Sequence, residues 1–362
     1  MSEHDHTIER LTVRTVNVTL PEPMATASGR IGTAPLVLLD LHLSKGLTGH
    51  AYLFTYSPMA LRATGRLLAD MEGLVTGEPL RPRDLFDKLD RSLRLLGPQG
   101  LAGMCFSAID MAAWDALARA QGVALARLLG AAPRPVPAYY SASLLSPEAA
   151  RLHTKKAVRM GFSAFKVKIG HKEVASDMAV IDAIRDTGGE ALQIMADYNQ
   201  SLAIPEAIRR IGLIETHHRL AWIEEPVLHH DFAGHAEVRA AVATPIQLGE
   251  NWWGLADMAK SVAAGAGDFA MPDVMKIGGV TGWLEASSLA KAHGIPVSSH
   301  IFPEISAHLM CATPGAHYLE WLDFAGAILA RPLEIADGCA IPTEDPGSGV
   351  EWNEKAVAKY EV

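Results

Sequence analysis

Between Phe165 and Glu320, single charged residues stand at the ends of short apolar runs, and the steps between them are nearly constant. Lys166 and Lys168 come first, followed by Asp197, Glu224, Glu250, Asp273, His300 and Glu320. From Asp197 onward the steps are 27, 26, 23, 27 and 20 residues, each about the length of one strand, one helix and two loops. Such a repeat leaves few architectures open. It describes strands that each end in one functional group and lie side by side with helices between them. Alternation of strand and helix starts at Pro135, and eight strands fit before Leu322, enough to close a parallel barrel. Residues 132–322 are therefore predicted to form an α/β barrel, a modified TIM barrel of (β/α)7β type.

The chain before the barrel has another rhythm. Leu11 to Leu20 alternates and is rich in Val and Thr, as a strand would be. Pro21 to Gly32 carries the Pro, Gly and small residues of a mobile loop. Further strands are predicted over Pro35 to Leu43 and Gly49 to Tyr56, then helices over Pro58 to Thr76, Pro82 to Leu96 and Ala102 to Gln121. Strands followed by helices predict an α+β unit over 1–131. The segment 323–362 is rich in Gly and Pro and shows no local sign of where it docks.

Composition narrows the function classes. A formal charge of -9, with acids and bases interspersed, argues against a nucleic-acid partner. No uninterrupted apolar run reaches membrane-spanning length, and the polar N-terminus lacks a signal pattern. Cys105, Cys311 and Cys339 are far apart and form no metal or disulfide spacing, which fits a reducing compartment. The expectation is a cytoplasmic protein acting on a small molecule.

A barrel of this kind builds its site at the carboxyl ends of its strands, where the charged residues fall. Lys166 and Lys168 are two apart, so both point to one face of their strand. Two crowded ammonium groups disfavour each other's charge, and a lowered pKa would let one serve as a base. Asp197, Glu224 and Glu250 on consecutive strands would repel unless a divalent cation joined them. An oxygen-only set favours Mg2+, with Mn2+ second, over zinc. Asn199 and Glu225 lie beside this set as contacts to substrate or to the ligands. Asp273 is placed to hold the His300 imidazole and raise its basicity. Glu320, if buried among other acids, would stay protonated and donate a hydrogen bond to a developing oxyanion. Together these parts suit removal of the α-proton of a metal-bound carboxylate through an enediolate. Bases on both faces would give racemisation or epimerisation.

The motifs Lys-x-Lys, Asp-Tyr-Asn-Gln-Ser, Trp-Ile-Glu-Glu-Pro, Gly-Glu-Asn-Trp, Met-Pro-Asp-x-Met-Lys-Ile-Gly-Gly-Val-Thr-Gly-Trp and Ser-Ser-His occur here in one order. In this set, over nearly its whole length, the chain resembles the mandelate racemase subgroup of the enolase superfamily. The resemblance implies that Lys168, tuned by Lys166, is the base for one enantiomer, and His300, oriented by Asp273, the base for the other. It implies Mg2+ on Asp197, Glu224 and Glu250, Glu320 as hydrogen-bonding acid, and Ser141 and Lys166 on the substrate carboxylate. It also implies that 1–131 is a capping domain with a lid over 21–32, that 323–362 returns to the cap, and that the protein is a homo-octamer.

Substrate identity is less determined. Met24 and Ile31 of the lid and Tyr56 are candidate substrate contacts beside Asn199. Arg30, Ala142 and Trp321 depart from the pattern of mandelate racemase itself, and Arg30 would suit a more polar or second-carboxylate-bearing acid. A mandelate-like 2-hydroxy acid is the leading expectation. An acid-sugar dehydratase is the alternative, and a non-catalytic acid-binding barrel the third. His229, His230 and His235 cluster after Glu224-Glu-Pro226 and are read as loop residues. Gly278, Gly279 and Gly282 are read as a tight turn into a helix, since no phosphate-loop spacing accompanies them.

Overall fold

The computed structural model describes residues 6–26 and 29–362. The first unit is a three-stranded antiparallel sheet of β1 (Ile8–Thr26), β2 (Gly29–Leu43) and β3 (Thr48–Phe54), in that order. Helices α1 (Pro58–Asp70), α2 (Glu72–Val75), α3 (Pro82–Leu93), α4 (Gly100–Ala120) and α5 (Leu125–Leu128) follow. α4 is long and apolar enough to cross a bilayer, but here it is the buried centre of the unit, packed between the sheet and a barrel helix.

The expected loop over 21–32 is instead the end of a hairpin. Met24 pairs with Ile31, Ala25 with Arg30 and Thr26 with Gly29. The register slips between Thr19 and Met24, where Pro21 and Pro23 supply no N–H to the ladder. Proline weakens this stretch as a strand without ending it. Ser28, one of the residues read as part of the loop, lies outside the described residues.

The barrel begins with β4 (Val136–Leu144), α6 (Pro147–Arg159), β5 (Ala164–Lys168), α7 (Val174–Gly188) and β6 (Gln193–Asp197). It continues with α8 (Ile204–Glu215), β7 (Ile223–Glu224), α9 (Phe232–Ala241), β8 (Ile246–Leu248), α10 (Gly254–Ala263), β9 (Phe269–Ala270) and α11 (Gly279–Ala292). α12 (Pro303–Ala312) and β10 (Leu319–Trp321) complete it. β4 to β9 pair in sequence order, all parallel, and β10 pairs with β4. The segment around Val297 fills the remaining place by parallel bridges to Ala270 and Ala316. Eight strand positions with seven intervening helices give the (β/α)7β barrel.

Strand alternation then fixes what faces inward. Tyr139, Ala164, Met195, Trp222 and Met271 form one fully buried apolar cluster inside the barrel. Two residues further along the chain from each stand Ser141, Lys166, Asp197 and Glu224, on the same face one layer higher, and Asp273, past the end of β9 and bridged in parallel to His300. An apolar floor thus lifts a ring of polar groups to the barrel mouth.

After β10 the chain forms a hairpin of β11 (Glu334–Ala336) and β12 (Cys339–Ile341), and β12 pairs antiparallel with the start of β4. It then runs back along the first unit to α13 (Glu354–Tyr360). Ser348 donates to Asp115, the Trp352 indole to Asp40, and Val362 N to Thr15 O.

Candidate active site

At the mouth, oxygen atoms of Asp197, Glu224 and Glu250 lie within 4.8 Å of one another. Lys168 Nζ is 2.7 Å from Asp197 Oδ2, at one end of this group. His300 Nε2 is 3.2 Å from Glu250 Oε2, at the other end. His300 Nδ1 meets Asp273 Oδ2 at 2.6 Å, and the second Asp273 oxygen accepts from Met275 N, so the ring is held by a fixed carboxylate. Lys166 lies deeper, 2.7 Å from Glu224 and 2.8 Å from Glu320. Glu320 also accepts from Ser141 Oγ at 2.8 Å and from Ile301 N at 3.0 Å.

On the barrel side of this mouth, among the described residues, six carboxylates, those of Asp197, Glu224, Glu225, Glu250, Asp273 and Glu320, stand with four cationic groups, Lys166, Lys168, Lys276 and His300. The excess of two negative charges is what one divalent cation would match. Burial pushes Glu224 up to about 8 against the pull of Lys166, and burial with Glu250 and Asp197 nearby raises Glu225 well above the carboxylate range. These raised values are how the cluster sheds its excess. Burial would raise Glu250 and Glu320 as well, but His300 and Lys168 hold the first at about 2, and Lys166 and His300 the second.

Two electrostatic expectations are corrected. Burial alone would lower both lysines, yet Glu224 and Glu320 around Lys166, and Asp197 beside Lys168, outweigh it and raise both. Opposite charges at hydrogen-bond distance win over the like-charge pair. Glu320 is pulled down, to about 2, rather than pushed up, because a lysine, a hydroxyl and a backbone N–H all donate to it. For His300, burial disfavours the imidazolium, but Glu250 and Asp273 outweigh burial and raise its pKa.

A cavity of about 660 Å3 lies over these groups, walled on the barrel side by Lys168, Asn199, Glu250, His300 and Glu320 and on the cap side by Met24, Arg30, Ile31 and Tyr56. Asn199 donates to Asp197 through both its backbone N–H and its amide, leaving Oδ1 buried with no partner among the described residues. Among the described residues, six of the eight non-glycine residues with positive φ flank this mouth: Tyr56, Asn199, Gln200, Glu225, Ile301 and Phe302. Backbone strain of that kind persists only where surrounding structure enforces it.

Not every candidate reaches the cavity. Lys166 does not line it, and Ser141, which like Lys166 is bound to Glu320, lines a neighbouring cavity instead. Ala142 and Trp321 also face that cavity of about 710 Å3, which shares Met24, Arg30 and Phe324 with the first. Glu225 accepts from Asn251 at 2.8 Å, next to the ligand set. His229, His230 and His235 line neither cavity, and Gly278 and Gly279 form the turn into α11. Glu250 is not the end of its strand, since β8 stops at Leu248. Asn251 and Lys276 were missed, although both lie inside the quoted motifs, one residue after Glu250 and three after Asp273.

Residues 8–130 match the model of the mandelate racemase/muconate lactonizing enzyme N-terminal domain. Residues 149–356 match that of the enolase C-terminal domain-like family. The chain belongs to the mandelate racemase/muconate lactonizing enzyme family of the enolase superfamily. Within it, the chain is 30% identical to the L-talarate/galactarate dehydratase of Salmonella typhimurium, over 89% of this chain and 81% of that one. It is 28% identical to the 3,6-anhydro-α-L-galactonate cycloisomerase of Streptomyces coelicolor, over 95% and 96%. Its fold superposes with a TM-score of 0.96 on an enolase from Bradyrhizobium complexed with magnesium and mandelic acid, 46% identical with 100% of both chains covered. Like these proteins, it is an enzyme of the enolase superfamily.

Proposed function

We propose that this enzyme removes the α-proton of a 2-hydroxy carboxylate with a base on one face and delivers a proton to the resulting enediolate from an acid on the opposite face, racemising or epimerising a mandelate-like acid. The observation that carries the reading is the placement of Lys168 and His300 against opposite ends of the carboxylate group. The residues fit Mg2+: three converging carboxylates, no thiol or imidazole among them, and the unpartnered Asn199 Oδ1 close by. Mg2+ held there would draw charge from the substrate carboxylate and stabilise the enediolate oxygens. With Asp197 turned to a bound cation, Lys168 would lose its ion-pair partner and give up its proton more readily, as a base must. His300, oriented by Asp273, takes a proton from or delivers its own to the other face. Glu320 would become a donor by taking up a proton from solvent as the anionic substrate enters beside it. The 46% identity to a protein crystallised with mandelic acid supports a substrate of that size.

Dehydration of an acid sugar is the second reading. It is favoured by the 30% identity to a talarate/galactarate dehydratase and by the raised pKa of His300, which suits an acid that protonates a departing β-hydroxyl. Incubation with 2-hydroxy acids and sugar acids in deuterated buffer with Mg2+ separates the two. Racemisation exchanges the α-proton of both enantiomers; dehydration accumulates a 2-keto-3-deoxy acid irreversibly. Absence of exchange from every 2-hydroxy acid would rule out the first.

A further inference from the structure

Of the three carboxylates, Glu250 is held differently. Asp197 and Glu224 end β6 and β7 inside the parallel ladder, each two residues beyond a floor residue. On β8 the inward phase runs from Gln247 to Gly249, so Glu250 is out of step with the alternation. It turns into the mouth because Gly249 adopts φ +135°, where a side chain would meet the Trp252 ring at 2.7 Å. Its side chain is 12% exposed, against 0% for Asp197 and Glu224. A ligand carried on such a turn has to be fixed by its neighbours' side chains. His300 holds Oε2, and Asn251 Nδ2 lies 3.3 Å from Oε1.

The Asn251 amide is itself oriented from behind. An ammonium only donates and a carboxylate only accepts. Asn251 Oδ1 therefore faces Lys276 Nζ at 2.7 Å, and Nδ2 faces Glu225 Oε2 at 2.8 Å together with Glu250. Lys276 is 7% exposed and lies over the rings of Tyr56 and Trp253, at 4.7 and 5.8 Å from their centres, so its position is fixed as well. Without the ammonium, nothing in this contact set would favour the observed amide orientation from the Oδ1 side.

We propose that Lys276 is a positioning residue for the cation site, acting through the Asn251 amide to set metal ligand Glu250. The proposal rests on the reading of Asp197, Glu224 and Glu250 as cation ligands. Cation affinity then depends on a side chain that touches neither cation nor reacting substrate, as partners of metal ligands generally influence affinity by about 10–100-fold.

The test is titration of the full chain with Mn2+, followed by electron paramagnetic resonance, for the wild type, Lys276→Met, Lys276→Arg and Asn251→Leu. Lys276→Met and Asn251→Leu are expected to weaken Mn2+ binding about 10-fold or more, and Lys276→Arg to stay within about 3-fold of wild type. In turnover, the KM for the metal should rise more than kcat at saturating metal falls. Should Lys276→Met fail to fold, Asn251→Leu carries the decision. Equal Mn2+ affinity in wild type and variants overturns the positioning role while leaving the site intact. Failure of the wild type to bind Mn2+ overturns the site reading itself.

Discussion

Two groups of buried acids sit in this molecule, and they are satisfied in opposite ways. At the seam between α4 and the barrel, Asp110 accepts from Thr281 N at 2.9 Å and Thr281 Oγ1 at 2.6 Å, at the start of α11. Gly279 leaves room for it: a side chain there would meet the carboxylate at 2.4 Å. One turn further along α4, Asp115 accepts from His50 N, Arg119 Nε, Ser348 N and Ser348 Oγ. These acids join separate segments through donors fixed in the fold, much as a helix cap does. At the mouth, acids are surrounded by other acids, and the local cations fall two short of them. Among the described residues, acids at the seam answer to donors from a neighbouring segment and to no other acid, whereas acids at the mouth answer to one another.

The sharpest way to break this contrast is to neutralise one acid of the mouth. Glu224→Gln removes a carboxylate that burial has already pushed up to about 8. The amide keeps the shape, so thermal stability is expected to stay level or rise as repulsion is relieved. The site loses a cation ligand and turnover is expected to fall by about 10^3-fold or more. Melting curves and isotope-exchange rates on one preparation measure both. A large loss of stability would place Glu224 with the seam acids.

The seam responds through pH. Burial pushes the Asp110 carboxyl up to about 7, against the hydrogen bonds from Thr281. In the unfolded chain the group titrates near 3.8, its ordinary value. Between these values the native state binds the extra proton, so this group's contribution to stability falls as pH rises from about 4 to about 7 and is constant above. Three units correspond to at most about 4 kcal/mol. Asp110→Asn keeps an acceptor for Thr281 and removes the titration. Its melting temperature is expected to change less between pH 5 and pH 8 than that of the wild type, with exchange activity intact. Parallel pH curves for the two proteins would sink the assignment.

Much of this was legible because barrel strands put one functional residue at each strand end and space them by a helix. The alternation that places Lys166 and Asp197 two residues above Ala164 and Met195 is a local property. Features that depend on residues brought from elsewhere were not legible. The downward pull on Glu320 was not legible because its donors, Ser141, Lys166 and Ile301, come from other parts of the chain. Asn251 and Lys276 lie in loops, where no periodicity marks a buried polar side chain. Asp110 and Asp115 stand in the largely apolar sequence of α4, but nothing local points to their partners on α11 and near the C-terminus. The hairpin over 21–32 escaped because prolines at a register slip resemble a loop.

An exposed acid sets the lower end of the scale. Glu22, on the hairpin, reaches His153 Nε2 at 3.4 Å and Lys156 Nζ at 3.8 Å on α6, with its side chain 61% exposed. Solvent and salt screen such contacts, and exposed pairs are worth about 0–1 kcal/mol. Glu22→Gln is therefore expected to leave the melting temperature within about 1 °C of wild type. The pairs also tie the hairpin, which carries Met24, Arg30 and Ile31 into the cavity, to the barrel. Their loss is expected to raise the KM for substrate by no more than about 3-fold, an effect that 0.5 M salt reproduces in the wild type. A KM shift that salt does not reproduce would mean that Glu22 acts on the substrate itself, and the exposed acid would then belong with those of the mouth.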